Sequence, residues 1–207
     1  MDKYNVYQDM SRRTGGEIYL GIVGPVRTGK STFIKRFMEL VVIPEMADDN
    51  EKVRTIDELP QSADGKTIMT TEPKFIPKEA AVIHFSNQET GKIRLIDCVG
   101  YLVPEAVGAI EEEKERMVKT PWSEEEIPFS KAAEIGTSKV IREHSNLGLI
   151  ITTDGSFGDI PAVNFEEALQ KTVMECEKAG KPFLILVNTS RPDSQETIQS
   201  VSYTHLT

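Results

Sequence analysis

Residues 24–31 read GPVRTGKS, with glycines at 24 and 29 and a lysine and serine directly after the second. This spacing, G-x-x-x-x-G-K-[ST], suits a polyphosphate. Glycines permit a tight turn whose backbone N–H groups converge on phosphate oxygens, and a helix that starts at the lysine turns its positive end to the same anion. Lys30 is then expected to pair with the β- and γ-phosphates, and the Ser31 hydroxyl to ligate Mg²⁺. The expected nucleotide contacts are Gly24, Pro25, Val26, Arg27, Thr28, Gly29, Lys30, Ser31 and Thr32. Such a loop needs a second carboxylate on the Mg²⁺ side, at the end of a neighbouring strand. IRLIDCVG supplies Asp97 after an apolar run, and Asp97-Cys98-Val99-Gly100 has the form D-x-x-G. Gly100 is thereby placed to donate its N–H to the γ-phosphate.

Between the two motifs lies GKTIMTTEPKF. G-domain proteins carry a threonine just before the strand that pairs with the D-x-x-G strand, and it closes on Mg²⁺ when the γ-phosphate is present. Thr71 is favoured for that role, with Thr70 beside it; Lys66 and Thr67 form a weaker pair. Ser31, Thr71 and Asp97 are thus the expected metal ligands, and Lys30, Thr70, Thr71 and Asp97 the catalytic set. Two positions depart from a Ras-like pattern. Tyr101 and Leu102 stand where a water-orienting glutamine would follow D-x-x-G, so hydrolysis needs another water-positioning group or a conformational trigger. NTSRP, Asn188 to Pro192, stands where a guanine-specific domain has N-K-x-D. Asn188 keeps the first position and is counted as a nucleotide contact. Arg191 replaces the carboxylate that would pair with guanine, which argues against guanine selectivity. Asp154, in TTDG, is expected either to face the nucleotide or to begin a helix-leading turn, and Arg27 to act on the phosphates or point to solvent.

These residues need a frame. Buried strands are expected at 18–23, 147–153 and 182–188, with a hairpin of strands at 81–86 and 92–98 turning through NQETG. Helices are expected at 30–42, with Phe33, Phe37, Leu40 and Val41 at helical spacing, at 131–145, and at 164–181. The last has Phe165, Leu169, Val173 and Cys176 on one face, Asn164 as N-cap and Gly180 as stop. Strands alternating with helices predict an α/β fold around the phosphate loop. Its sheet is expected to be mostly parallel with one antiparallel edge strand, and helices on both faces. Residues 43–72 read as a long linker, and 101–130 as a Pro-rich loop whose acid runs EEEKE and SEEEIP are solvated faces.

The chain has 207 residues and a net charge of −9, which argues against a general nucleic-acid binder. Cys98 and Cys176 fit no metal motif and are expected as unpaired thiols in a reducing compartment. His84, His144 and His205 are expected to be structural. Trp122 is a lone aromatic, either in a satellite core or at a partner contact. No stretch is long and apolar enough for a transmembrane segment, and a cytoplasmic location is expected. The domain reading is a lead-in at 1–16, a phosphate-loop domain at 17–192, expected to be incomplete at its C-terminal end, and an unpatterned tail at 193–207.

With these residues in place, the chain resembles the stage IV sporulation protein A family, the ATPases of the bacterial spore coat. The resemblance rests on RTGGEIYLGIVGPVRTGKSTFIKRFMELVVIP, DELPQSADGKTIMTTEPKF, IRLIDCVGY, TPWSEEEIPF, AAEIGTSKVIREHSNLGLIITTDGSFGDI and GKPFLILVNTSRP, and runs from about residue 3 to about residue 192. It implies a phosphate-loop NTPase of the translation-factor G-domain class that uses ATP with Mg²⁺ rather than GTP, consistent with NTSRP. It also implies hydrolysis that leads to homopolymer assembly, a shell around the forespore on the mother-cell side. The implied partners are further copies of the chain, other spore-coat morphogenetic proteins, and a small amphipathic peptide that marks the forespore outer membrane. By the same resemblance Lys30 is the phosphate-loop lysine, Asp97 the Mg²⁺-side acid, and Thr70 or Thr71 the sensor threonine. Family members are longer than this chain. The rival reading, from the residues alone, is a GTP-dependent switch that turns over only with a helper protein.

Overall fold

Strand β1 (Glu17–Val23) carries apolar side chains on both faces, so each face must be covered. The computed structural model, which describes residues 16–60, 72–84, 90–106, 110–111, 114–195 and 197–199, shows how. The main sheet adds β2 (Lys74–His84), β3 (Thr90–Asp97), β8 (Leu147–Thr153) and β9 (Phe183–Asn188) to β1 in the order β2-β3-β1-β8-β9. β1 pairs in parallel with β3 and β8, β8 in parallel with β9, and β2 runs antiparallel to β3 at the edge. The fold is therefore mixed α/β, with a mostly parallel sheet and one antiparallel pair, as expected.

The period of two along the strands divides the core. Leu20, Ile22, Leu95, Leu149 and Ile151 face Ile34, Met38 and Val42 of the first helix on one side. Val23, Ile96 and Ile150 face Val140, Ile141 and Cys176 on the other. The first helix, α1 (Lys30–Phe37), loosens into wider π-type turns over Met38–Val42. Its buried stripe is Ile34, Met38 and Val42, at spacings of four. The expected stripe is thus displaced: Phe33 and Phe37 stack half-buried at 5.6 Å, while Leu40 and Val41 are exposed. Both spacings are helical; tertiary packing against the sheet chose between them.

The two expected irregular regions hold regular elements. Helix α2 (Asp49–Glu58) lies inside the expected 43–72 linker, capped by Asp48, whose carboxylate accepts from the backbone N–H groups of Asn50 and Glu51. Within 101–130 the chain forms the two-residue strands β4 (Ile110–Glu111) and β5 (Lys114–Glu115), then a hairpin of β6 (Met117–Thr120) and β7 (Ser123–Pro128). Glu124, Glu125 and Glu126 on β7 are exposed, as solvated acids should be, and Trp122 sits half-buried at the hairpin turn.

Helix α3 (Phe129–Lys139) runs into π-type turns at Val140–His144, where the His144 ring meets Phe75 edge-on at 5.3 Å. Helix α4 (Glu166–Lys178) follows a short 3-10 turn at Ala162–Phe165. Asn164 lies inside that turn, so it is not the N-cap; that position falls to Phe165. Gly180 does end α4, at φ 62°, with its N–H on Glu177 O and Lys181 N–H on Cys176 O. β9 was expected to be buried. Instead it alternates, with Ile185 half-buried but Leu184 60% exposed, because β9 is the sheet edge among the described residues. Cys98 and Cys176 are buried free thiols, and among the described residues no helix is long and apolar enough to cross a membrane.

Because β1 has β3 on one side and β8 on the other, the chain reverses its direction of sheet growth there. A crevice opens at the carboxyl ends of the strands at such a point. Leu95, fully buried beneath α1, anchors the strand that carries Asp97. Leu95→Ala is expected to lower unfolding free energy by about 2–5 kcal/mol in urea denaturation; an unchanged midpoint would contradict this packing.

Candidate nucleotide-phosphate site

The loop after β1 is shaped by close backbone approaches. Gly24 (φ 126°) lies so near β8 that a Cβ would sit 2.4 Å from Ile151 O. A Cβ on Gly100 (φ 92°) would sit 2.1 Å from Gly24 O, so the D-x-x-G turn is laid directly against the loop. The loop is tied internally by Thr28 Oγ1 donating to Pro25 O at 3.0 Å. Externally, Val26 N–H donates to Tyr101 O at 2.9 Å, extending the β1–β3 pairing past the strand ends. Helix α1 then begins at Lys30 with no side-chain cap and no acid in its first turn. Its leading N–H groups, with the helix dipole behind them, are the donors an anion needs.

Lys30 is buried, 5% exposed, and its ammonium donates to the carbonyls of Pro25 and Gly24. Burial pushes its pKa down, opposed by the nearby Cys98 and Asp97. Ser31 Oγ donates to Asp97 Oδ2 at 2.8 Å, joining residues 66 positions apart. The other oxygen, Asp97 Oδ1, is buried without a hydrogen-bond partner among the described residues. Burial raises the Asp97 pKa, and the Ser31 bond and Lys30 hold it back. A hydroxyl beside a carboxylate with one orphaned oxygen fits a hard divalent cation that takes oxygen ligands. Cys98 is a buried free thiol, and burial pushes its pKa up to about 11, away from the reactive thiolate.

On the far side, Asn188 Nδ2 donates to Thr28 O at 3.1 Å and lies 2.6 Å from where a Cβ on Gly29 (φ 90°) would be. Asn188 therefore braces the loop from the end of β9. Asp154 does not begin a helix. Its carboxylate accepts from Ser156 N–H at 2.9 Å, Thr189 Oγ1 at 2.6 Å and Thr197 Oγ1 at 3.3 Å. Thr197 is buried, so this part of the expected unpatterned tail is tied to the sheet. Arg27 (φ 61°), Thr32 and Arg191 are exposed. Tyr101 is buried with Val26, Val103 and Phe165, and Lys171 lies over its ring at 4.9 Å, so it offers nothing to a water in the crevice. Thr70 and Thr71 lie outside the described residues, as do Lys66 and Thr67. The Thr28–Asn188 brace, the Val26–Tyr101 tie and the Asp154–Thr189 link were not legible beforehand. Only Asp154, an acid just past a strand beside the one carrying Asn188, gave a signal.

A glycine loop at the switch point of an α/β sheet, with a buried lysine and a Ser–Asp pair beside it, makes a site suited to a nucleoside triphosphate and Mg²⁺. The chain belongs to the stage IV sporulation protein A family: the family model described as "Stage IV sporulation protein A, ATPase domain" matches residues 1–205. It is 55% identical over 197 residues to stage IV sporulation protein A of Bacillus subtilis (strain 168), covering 95% of this chain and 40% of that protein. It is 54% identical over 205 residues to the Bacillus anthracis protein of the same name, covering 98% of this chain and 42% of that one. It is 50% identical over 193 residues to that of Clostridioides difficile (strain 630), covering 93% and 39%. The chain thus spans about two fifths of the length of these relatives. A crystal structure of a mutation variant of SsGBP overlaps 96% of this chain and 47% of its own, at 14% identity and a TM-score of 0.46.

The Asp154 carboxyl carries a pH dependence. Burial alone would raise its pKa, but the bonds from Ser156, Thr189 and Thr197 outweigh it and hold it at about 2. A depressed carboxyl stabilises the fold fully above its unfolded pKa, and that contribution fades as pH falls toward the folded value. The stability gap between wild type and Asp154→Asn in urea is expected to stay level from about pH 7 to about pH 5 and to shrink between about pH 4 and about pH 2. A gap constant across that range would contradict the bonding described.

Proposed function

We propose that this chain is the nucleotide domain of an ATP-hydrolysing, self-assembling spore-coat scaffold, built on a phosphate loop of the translation-factor G-domain class. The single observation that carries the reading is the buried Lys30 ammonium beside the Ser31–Asp97 pair with its orphaned Oδ1. In this reading the loop N–H groups and the α1 N-terminus bind the triphosphate, and Lys30 turns from the Pro25 and Gly24 carbonyls to the β- and γ-phosphates. Ser31 and, directly or through water, Asp97 would hold Mg²⁺, which would supply charge neutralisation for the phosphates. The Gly100 N–H donates to the γ-phosphate. Thr71, or Thr70, closes on the same group and reopens after hydrolysis, and that change reaches a contact between copies.

The family resemblance favours ATP, and Arg191, standing where guanine needs an acceptor carboxylate, argues against guanine selectivity. The partners are further copies of the chain in a homopolymer, other spore-coat proteins, and the small amphipathic peptide at the forespore outer membrane, reached from the mother-cell cytoplasm. The family resemblance supports these partners and this location. A second reading, a GTP-dependent switch with slow intrinsic turnover, draws on Tyr101, whose buried ring stands where a water-orienting glutamine would be.

Equilibrium titration with ATP and Mg²⁺, followed by phosphate release, tests the roles. Lys30→Ala is expected to abolish binding. Joint substitution of Thr70 and Thr71 by alanine is expected to spare binding and lose hydrolysis. If both variants bind ATP as wild type does, the assignment fails.

A further inference from the structure

The loop that leaves β9 holds itself in place through a neighbouring strand. β8 and β9 end in register, Thr153 beside Asn188, so Asp154 and Thr189 emerge side by side at the carboxyl edge of the sheet. Thr189 Oγ1 donates to Asp154 Oδ2 at 2.6 Å and itself accepts from Arg191 N–H at 3.0 Å. Ser156, whose N–H is held by Asp154 Oδ1, accepts from Ser190 N–H through its hydroxyl at 2.8 Å, and its carbonyl accepts from Ser190 Oγ at 3.2 Å. The backbone N–H groups of Ser190 and Arg191 are therefore held by the Ser156 and Thr189 hydroxyls, and Asp154 holds Thr189 through its hydroxyl and Ser156 through its backbone N–H. Asn188 belongs to a different support. It pairs in the β8–β9 ladder and donates to Thr28 O in the phosphate loop.

These two supports divide the site. A triphosphate seated in the 24–31 loop at the switch point places its nucleoside over the carboxyl ends of the strands that flank the loop. The Asn188 brace puts Asn188 beside Thr28 and Gly29, and residues 189–191 continue the chain from that point. Both Asp154 oxygens already accept from donors within the protein, three among the described residues. We propose that Asp154 is a positioning residue for the nucleoside: through Thr189 and Ser156 it sets the 189–191 wall against which the base and ribose rest, while the phosphate loop keeps its own brace. This rests on the ATP reading above and deepens it. Asp154 then governs affinity for the nucleoside part of ATP and leaves affinity for the polyphosphate part alone.

The test compares ATP with inorganic tripolyphosphate, each with Mg²⁺, by equilibrium titration of the full chain. The variants are Asp154→Ala and Thr189→Val, with Thr189→Ser as the rescue that keeps the hydroxyl; circular dichroism confirms folding. Expected for the first two is an ATP Kd raised about tenfold with tripolyphosphate changed less than about twofold, while Thr189→Ser binds both as wild type does. In turnover, KM for ATP is expected to rise by the same factor with kcat at saturation changed less than about twofold. Parallel loss of both ligands, or unchanged ATP binding beside a wild type that binds ATP, overturns the inference while leaving the ATP reading standing. A wild type that binds tripolyphosphate but not ATP, or neither, overturns both.

Discussion

A buried ammonium facing backbone carbonyls is the constraint on which this molecule turns. Lys30 is out of water, and its hydrogen bonds go to Pro25 and Gly24, the residues of its own loop. Carbonyls satisfy the donors of an ammonium and leave its charge only partly compensated. The neighbouring arrangements share that origin. Gly100 must lack a side chain because a Cβ there would lie 2.1 Å from Gly24 O and 2.7 Å from Lys30 Nζ, while Gly24 itself is pressed against the Ile151 backbone of β8. Asp97 is held near by its bond to Ser31 with one oxygen still unpaired. A positive and a negative group are thus set side by side, with one carboxylate oxygen left unpaired.

The sheet order supplies the geometry. β1 and β3 end together, which brings Ser31 and Asp97 within a hydrogen bond although 66 residues separate them. The loop is then gripped from two directions, by Tyr101 O through Val26 and by Asn188 through Thr28. The first grip leads into a separate core, where Val26, Tyr101, Val103, Phe165 and Ala168 pack together. The segment after D-x-x-G is therefore joined to α4 by buried apolar contacts.

Much of this was legible because it is written in local pattern. GPVRTGKS between a β-period and a helix period, and IRLIDCVG after a second strand, mark the two halves of the site. What escaped reading depends on tertiary choice. Phe33, Phe37, Leu40 and Val41 and the buried Ile34, Met38 and Val42 are both helical stripes, and only the sheet decides which is covered. Helix α2 begins at a clear capping aspartate, Asp48, but its apolar residues are few and Val53 and Ile56 are exposed, so it reads as linker. The acid-rich β7 strand buries too little to show a period. The Asp154–Thr189 bond joins residues 35 positions apart with no shared motif, and it needs the β8–β9 register before it can be seen.

The central claim is that this crevice takes ATP with Mg²⁺ and prefers it to GTP. The most direct measurement is the thermal stability of the purified chain with Mg²⁺ alone and with ATP or GTP added. A ligand that binds only the folded state raises the melting temperature in proportion to its occupancy. The account predicts a rise with ATP that GTP at the same concentration does not match. A rise with GTP alone, or none with either nucleotide in a chain shown to be folded, would contradict it.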